Sequence, residues 1–324
     1  MSLISIILAA GKGTRMKSDL LKVAHEVAGK PIVGYVIETV QKCGVDSINI
    51  VVGHQSEHLK EILRPYSGLN YVLQEQQLGT GHAVLQAKSL INENETGNVL
   101  ILAGDCPLIK VETLNNLIAV HKETNSAGTV LSTKMSEPAS YGRIIRGKMG
   151  YLKSIVEAKD CDEEQIKIDE INTGVYIFNT QKLFHRLSAL STNNSQGEYY
   201  LTDIIQLLKE GGEVVSAYCT DDSDQAIGIN TRMDIAKSNQ VIYQRNNLEF
   251  MKDGVTILDP NTTFIDSTVK IGHDTIVHPF VRITGNTTIG KHCEVYSHCF
   301  INDSKISDNE KTLSFTNRQE SLNN

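Results

Sequence analysis

The sequence lacks the features of a membrane protein and of a broad nucleic-acid binder. No apolar run approaches the roughly 18 residues that a transmembrane helix needs. The first run, from Leu3 to Ala10, is not preceded by the charged segment that opens a signal peptide. Acidic residues outnumber basic ones by 38 to 31, which gives a net charge of −7 and argues against an extended basic surface. We expect a cytoplasmic protein with no membrane span and no nucleic-acid partner.

Paired cysteines are also missing. The six cysteines are spread along 324 residues and none forms a C-x-x-C pair, so no disulfide framework is indicated. We expect reduced thiols, as in a cytoplasmic protein. The length predicts about two domains.

The first 230 residues alternate between apolar runs and helical patterns. Apolar runs at Ser5–Ala10, Ile48–Val52 and Val99–Ala103 are typical of strands buried on both faces. Helical patterns follow Pro31 and run from about Glu112 to His121. This order predicts an α/β fold with a mostly parallel sheet. Ligands bind beyond the carboxyl ends of the strands in such sheets.

A six-residue period begins after residue 254. Aliphatic residues recur at every sixth position, and a small or β-branched residue stands two positions before each. The aliphatic positions are Ile265, Ile271, Val277, Ile283, Ile289, Val295 and Ile301. This period is typical of a left-handed parallel β-helix, in which Cys293 and Cys299 would be structural. We therefore predict a domain at 1–230, a connector helix at 231–253, a short β-helix at 254–306 and a polar, mostly disordered tail at 307–324.

A glycine-rich loop follows the first predicted strand. The string Leu8-Ala9-Ala10-Gly11-Lys12-Gly13-Thr14-Arg15-Met16 is neither G-x-G-x-x-G nor a Walker A loop. Its glycines let the backbone approach a ligand, and successive N–H groups can hold phosphate oxygens. Arg15 adds a bidentate phosphate donor, and Lys22 adds a mobile charge. A Gly-rich turn with two surface cations is the alternative, and the full string favours a phosphate site.

This loop resembles the signature of the sugar-phosphate nucleotidyltransferases. Further matching segments lie at 27–31, 78–83, 104–108, 141–144, 170–174 and 196–203. Together they most resemble the bacterial bifunctional N-acetylglucosamine-1-phosphate uridyltransferase/glucosamine-1-phosphate acetyltransferase family, over residues 1 to about 305. The resemblance implies a Rossmann-like nucleotidyltransferase domain followed by a left-handed β-helix, with trimers in the family. A homo-oligomer is therefore possible, though the short β-helix would weaken it.

Asp105 is the candidate metal ligand. It follows the strand that ends at Ala103, where a carboxylate can hold Mg²⁺ or can cap the turn before Pro107. From the residues alone both roles are open. The resemblance implies that Asp105 and Asn230 hold Mg²⁺. Asn230 can also be the N-cap of the connector helix.

The resemblance also assigns the two substrates. It implies that Gln74 reads the uracil of UTP, with help from Gly79 and Thr80. An amide side chain can pair with a base edge, whereas Glu75 and Gln76 are expected to be solvated. The implied nucleotide contacts are Leu8, Ala9, Ala10, Gly11, Gly13, Thr14, Lys22, Gln74, Gly79, Thr80, Ala103 and Gly104. The implied contacts of N-acetylglucosamine 1-phosphate are Gly142, Glu157, Asn172, Tyr199 and Thr202.

The implied reaction needs no covalent nucleophile or general base. The phosphate of the sugar attacks the α-phosphorus of UTP, and positioning and electrostatics dominate. Arg15 and Lys22 are the predicted catalytic residues. The product would serve cell-wall precursor synthesis. Two alternatives are a nucleotidyltransferase for another sugar nucleotide and a non-catalytic regulatory homologue.

The sequence departs from the family pattern at three places. Leu21 stands where the family usually has proline, and Ala103 where it often has tyrosine. The third departure is the β-helix, which is much shorter than the family's. We expect acetyltransferase activity to be absent, because the residues that carry it lie beyond this chain.

Overall fold

The computed structural model describes residues 2–91 and 96–319. The chain divides into two compact units. The sheet unit contains Met1–His25 and Pro31–Thr231, and the coil unit contains Glu26–Lys30 and Arg232–Asn324. The short segment Glu26–Lys30 therefore belongs with the second unit, although it lies early in the sequence.

The elements follow the order that the sequence predicts. The helices are α1 (Ile32–Lys42), α2 (Ser56–Ile62), α3 (Thr80–Gln86), α4 (Val111–Glu123), α5 (Thr180–Leu187), α6 (Asp203–Glu210) and α7 (Arg232–Lys252). The first strands are β1 (Ser2–Ala9), β2 (Glu26–Val27), β3 (Lys30–Pro31), β4 (Ser47–Val52), β5 (Leu69–Leu73) and β6 (Gly97–Ala103). They are followed by β7 (Gly128–Lys134), β8 (Arg143–Arg146), β9 (Leu152–Val156), β10 (Glu170–Asn179) and β11 (Val215–Thr220).

The central sheet has the strand order β11-β7-β10-β6-β1-β4-β5. Strand β10 runs antiparallel to both its neighbours, β6 and β7, and the other pairs on this path are parallel. The antiparallel β8–β9 hairpin joins the sheet through β10. The sheet is therefore mostly parallel, as expected.

Alternating residues of the central strands pack on opposite faces of the sheet. Ile6 and Ile101 lie in the hydrophobic cluster on one face, and Ile7 and Leu100 lie in the cluster on the other. All four side chains are buried. This explains why the strands are continuous apolar runs without an alternating pattern.

The coil unit is a parallel β-helix. Its strands are β12 (Thr256–Ile257), β13 (Phe264–Ile265), β14 (Lys270–Ile271), β15 (Ile276–Val277), β16 (Arg282–Thr284), β17 (Thr288–Ile289), β18 (Glu294–Val295), β19 (Phe300–Asn302), β20 (Lys305–Ile306) and β21 (Asn317–Gln319). Residues 18 apart pair in parallel, as Ile265 does with Ile283 and Ile283 with Ile301. Three hexapeptides therefore make one coil, and the aliphatic residues fill its interior. The seven small or β-branched residues that precede them are buried too.

The expected disordered tail at 307–324 is wrong for residues 307–319, and residues 320–324 lie outside the described residues. Strand β21 pairs in parallel with β19, and the amide of Thr312 donates to the carbonyl of Glu294 at 3.0 Å. Backbone pairing with the preceding coil orders this segment, although most of its side chains are polar and its two large apolar ones, Leu313 and Phe315, are exposed. The distance along the chain between paired residues is also one shorter here, because Arg318 pairs with Ile301, 17 residues before it. This shift interrupts the six-residue period, so the last coil is not visible as a continuation of the pattern.

Candidate active site

The candidate site lies where β1 and β6 end. The two strands are parallel neighbours, with Leu8 opposite Ala103. The amide of Gly104 donates to the carbonyl of Leu8 at 2.9 Å, which ties the two ends together. The loop after β1 and Asp105 after β6 therefore reach the same edge of the sheet, as expected for a parallel sheet.

The glycine-rich loop is held close to Lys22. Gly13 has a φ of +60°, in the left-handed region that favours glycine. A side chain there would place its Cβ 2.6 Å from the Cβ of Lys22. Both the backbone conformation and the space therefore require glycine. A short 3₁₀ turn, Thr14–Met16, follows and carries Arg15.

Four of the predicted residues form one hydrogen-bonded network. Lys22 makes a salt bridge with Asp105, and its Nζ donates to Oδ1 of Asn230 at 3.1 Å. Arg15 Nη2 donates to the same Asn230 oxygen at 2.8 Å. The amide of Ile229 donates to the carbonyl of Asp105 at 2.9 Å, which brings the Asn230 segment beside Asp105. Two cations and two oxygen ligands thus converge.

A cleft of about 350 Å³ lies on one side of this network. Its lining includes Leu8, Ala10, Gly11, Lys22, Gln74, Gly79, Thr80, Ala103 and Asp105. All nine are predicted nucleotide or metal contacts. We call it the base cleft, after the predicted role of Gln74.

Gln74 is buried and oriented at the wall of the base cleft. Its Nε2 donates to the carbonyl of Gly79 at 3.2 Å and lies 3.0 Å from Nδ1 of His82. A carbonyl only accepts hydrogen bonds, so Gly79 fixes which end of the amide is nitrogen. Glu75 and Gln76 are exposed, as expected.

A second cleft, of about 220 Å³, shares Leu8, Thr80, Ala103 and Asp105 with the first. We call it the sugar cleft, because predicted sugar contacts line it. Its lining includes Gly142, Glu157, Asn172, Thr202 and Asn230. Asn172 precedes an irregularity in the pairing of β10 with β7, where the register shifts between Asn172 and Tyr176. Such irregularities re-aim side chains next to sites.

Glu157 is a second carboxylate of the sugar cleft, besides Asp105. Burial raises its pKa, and a hydrogen bond from Thr202 acts in the opposite direction. The hydroxyl of Thr202 donates to Oε1 of Glu157 at 3.1 Å. The amide of Asn172 donates to the hydroxyl of Tyr176 at 2.6 Å. These side chains are therefore oriented by polar contacts within the protein.

The remaining predicted residues have different surroundings. The side chain of Ala9 is buried in the core of the sheet unit, and Thr14 is exposed at the start of the 3₁₀ turn. The ring of Tyr199 stacks on His82, with centroids 6.3 Å apart. Its backbone is hydrogen-bonded to Leu78 and Gly81. The structure therefore ties Tyr199 to the wall that carries Gln74, whereas the sequence placed it with the sugar contacts.

Sequence reasoning missed several residues of the clefts. Gln77 and Glu198 line the base cleft, and the amide of Gln77 donates to the carbonyl of Ala10. Tyr141 lines the sugar cleft, and its hydroxyl accepts from the amide of Gly228 at 3.3 Å. Tyr141 stands in the matched segment 141–144, so that motif contained a usable signal. No sequence signal marks Gln77, because it lies in a Gln-rich stretch and such stretches are usually solvated loops.

Comparison with known proteins decides the family. The family model for nucleotidyl transferases matches residues 4–241, and the model for bacterial transferase hexapeptide repeats matches residues 268–303. The bifunctional protein GlmU of Syntrophomonas wolfei is 46% identical over 311 residues, which cover 96% of this chain and 69% of that protein. This chain belongs to the GlmU family of nucleotidyltransferases. The GlmU protein of Limosilactobacillus reuteri is 45% identical, over 99% of this chain and 70% of its own length.

Family membership confirms the expected enzyme class, a sugar-1-phosphate uridylyltransferase. A solved structure of UDP-glucose pyrophosphorylase complexed with UDP-glucose is also similar, with a TM-score of 0.63 and 20% identity. The match covers 76% of this chain and 100% of the solved chain. At 20% identity it supports the fold alone. Among the described residues, no helix is long and apolar enough to cross a membrane.

Proposed function

We propose that this chain transfers UMP from UTP to N-acetylglucosamine 1-phosphate, in a reaction that depends on Mg²⁺ and releases pyrophosphate. The observation that carries the proposal is the position of Asp105, which lines both the base cleft and the sugar cleft. Two substrates bound side by side would bring their phosphates together at this residue.

The donor set beside Asp105 suits a divalent cation. Asp105 Oδ2 and Asn230 Oδ1 both contact the ammonium group of Lys22. A positive charge is thus already accommodated between a carboxylate oxygen and an amide oxygen. Hard oxygen ligands of this kind are those that Mg²⁺ prefers. Asp105 and Asn230 would hold the ion, and the bound ion would supply positive charge against the phosphates of the substrates.

Lys22 and Arg15 supply the remaining positive charge. When Asp105 and Asn230 hold a cation, the ammonium group of Lys22 would be available to the nucleotide phosphates as a further positive charge. Arg15 is exposed beside Asn230, and its guanidinium can bind phosphate oxygens in bidentate geometry. Backbone N–H groups of the glycine-rich loop would add neutral donors.

In the proposed reaction, an oxygen of the sugar phosphate forms a bond with the α-phosphorus of UTP. The bond from that phosphorus to the oxygen that bridges to the β-phosphate breaks, and pyrophosphate leaves with the electron pair. The nucleophile is already an anion, so no base has to remove a proton. Catalysis then rests on positioning two polyanions and on stabilising their charge.

Gln74 is the proposed reader of the base. Its nitrogen faces the carbonyl of Gly79, so its Oε1 is the end that can accept a hydrogen bond from the N3–H of uracil. Cytosine has an acceptor at that position and would be rejected. In the sugar cleft, Glu157 and Asn172 are the proposed partners of the hydroxyl and N-acetyl groups.

The test is pyrophosphate release across a substrate panel. UTP, CTP, dTTP, ATP and GTP are each combined with N-acetylglucosamine 1-phosphate, and UTP is combined with glucose 1-phosphate and glucosamine 1-phosphate. We expect turnover with UTP and N-acetylglucosamine 1-phosphate to exceed that of every other pair. Preference for another pair would indicate a different nucleotidyltransferase. No pyrophosphate release with any pair would indicate a non-catalytic homologue.

A parallel assay with glucosamine 1-phosphate and acetyl-CoA, which reads free thiol, tests the expectation that this chain lacks acetyl transfer. Thiol release would contradict that expectation, and the proposed uridylyl transfer would not be affected by it.

A further inference from the structure

Three side chains with metal-binding groups meet at one corner of the coil unit. His273 Nδ1 lies 2.7 Å from Asp274 Oδ2, and His292 Nδ1 lies 3.8 Å from the same oxygen. One ligand atom from each residue can be chosen so that all three lie within 4.8 Å of one another. The two imidazole rings are 5.6 Å apart and nearly perpendicular, at 87°.

The backbone fixes this arrangement. Asp274 and His292 are 18 residues apart and both have positive φ, 60° and 56°, at equivalent corners of successive coils. The amide of His292 donates to the carbonyl of His273 at 3.3 Å, and the amide of Asp274 donates to the carbonyl of Gly254 at 2.8 Å. Paired strands lie on both sides of the corner. The spacing of the three side chains therefore follows from the register of the β-helix.

We propose that His273, Asp274 and His292 bind a divalent transition metal ion of the Zn²⁺ type and so link two successive coils. Two neutral imidazoles and one carboxylate are a donor set of zinc, with ligand bonds of about 2.0–2.2 Å. In tetrahedral geometry those bond lengths separate neighbouring ligand atoms by about 3.4 Å. The observed separations of 2.7 and 3.8 Å lie on either side of this value, so small side-chain rotations would suffice.

All three residues are exposed, so water would complete the coordination and the affinity would be moderate. Imidazole nitrogen favours Zn²⁺, Co²⁺ or Ni²⁺ over Mg²⁺. The ion would therefore differ in kind from the one proposed at Asp105 and Asn230, whose ligand atoms are oxygens.

The test is a titration of the chelator-treated protein with Zn²⁺ by isothermal titration calorimetry. Wild type, His273→Ala, His292→Ala and Asp274→Ala are compared with His58→Ala, which removes an exposed histidine of α2. Each corner substitution is expected to weaken one Zn²⁺-binding event at least tenfold, whereas His58→Ala leaves it unchanged. An Asp105→Ala chain should retain that event, which separates it from the proposed catalytic site.

A second readout does not depend on heat of binding. Zn²⁺ should raise the melting temperature of the wild-type and His58→Ala proteins, because a ligand that binds only the folded state stabilises it. The rise should disappear in His292→Ala. Equal Zn²⁺ affinity in wild type and both histidine corner variants would overturn the proposal, and so would a wild-type protein that binds no Zn²⁺ at submillimolar concentration.

Discussion

The sheet unit and the coil unit are specified by different kinds of sequence information. In the coil unit the same residue type returns every six positions, and residues 18 apart pair directly. In the sheet unit the candidate site joins residues with no periodic relation, such as Arg15 and Asn230, which are 215 positions apart. We infer that substitutions inside the coils act on stability, whereas substitutions in the clefts act on turnover.

The largest effect is expected at the network that joins the two clefts. Asp105→Ala should reduce turnover at least about 1,000-fold, because it removes the carboxylate proposed to hold the cation. Steady-state pyrophosphate release measures this, and Asp253→Ala, which removes an exposed carboxylate of the coil unit, is the matched control. Wild-type-like turnover of Asp105→Ala at ordinary Mg²⁺ would rule out the proposed role.

Substitutions inside the coil unit should lower stability and leave turnover of the folded protein largely unchanged. Ile283→Ala removes a fully buried side chain from the coil interior and should lower the free energy of unfolding by about 2–5 kcal/mol. Urea unfolding followed by circular dichroism measures this. Ile276→Ala, on the outer face of β15, should cost far less. If Ile283→Ala instead lowered kcat of the folded protein as strongly as Asp105→Ala, the division between the units would fail.

The variant Arg15→Ala tests whether Arg15 stabilises charge in the transition state or binds the substrate. Arg15→Ala should lower kcat about 100-fold and raise KM for UTP much less, because its charge is proposed to act mainly in the transition state. Full kinetics at saturating sugar phosphate measure both constants. Arg64→Ala, at an exposed arginine, should behave as wild type. An unchanged kcat in Arg15→Ala would refute this role.

Gln74 tests base recognition. Gln74→Leu should lower kcat/KM for UTP about tenfold and reduce discrimination against CTP, because one hydrogen bond to the base is lost. The same change at its exposed neighbour, Gln76→Leu, should have little effect. Unchanged selectivity between UTP and CTP in Gln74→Leu would remove Gln74 from the proposed site.

The smallest effect is a shift in the pH dependence of sugar binding. The hydroxyl of Thr202 donates to Glu157 and lowers its pKa, so Thr202→Val should raise that pKa further. KM for the sugar phosphate should rise as the pH falls and Glu157 becomes protonated. In Thr202→Val this rise should begin at a higher pH, by less than about one unit. Thr124→Val, at an exposed threonine, is the control. A downward shift would contradict the proposed contact.

Much of the fold could be predicted from sequence because its signals are local. The apolar run of β1, the helix after Pro31 and the six-residue period each specify one element without reference to distant residues. The last coil escaped prediction, because residues 307–319 are ordered by backbone bonds to the preceding coil. Such bonds leave no trace in side-chain type.

The candidate site was predictable where motifs mark it and not elsewhere. The glycine-rich loop, Asp105 and Asn230 were found, and the structure brings them together. Gln77 was missed, because its contact with Ala10 spans 67 positions and depends on the fold. His82 was also missed: its Nδ1 lies 3.0 Å from Nε2 of Gln74, so it helps to orient that side chain.

The most direct test combines the wild-type chain with UTP, N-acetylglucosamine 1-phosphate and Mg²⁺, and quantifies pyrophosphate and the sugar nucleotide together. We expect UDP-N-acetylglucosamine and pyrophosphate in equal amounts, no reaction after chelation of the metal, and recovery when Mg²⁺ is restored. Absence of the sugar nucleotide under these conditions, or its undiminished formation in the chelator, would contradict the proposed uridylyl transfer at Asp105 and Asn230.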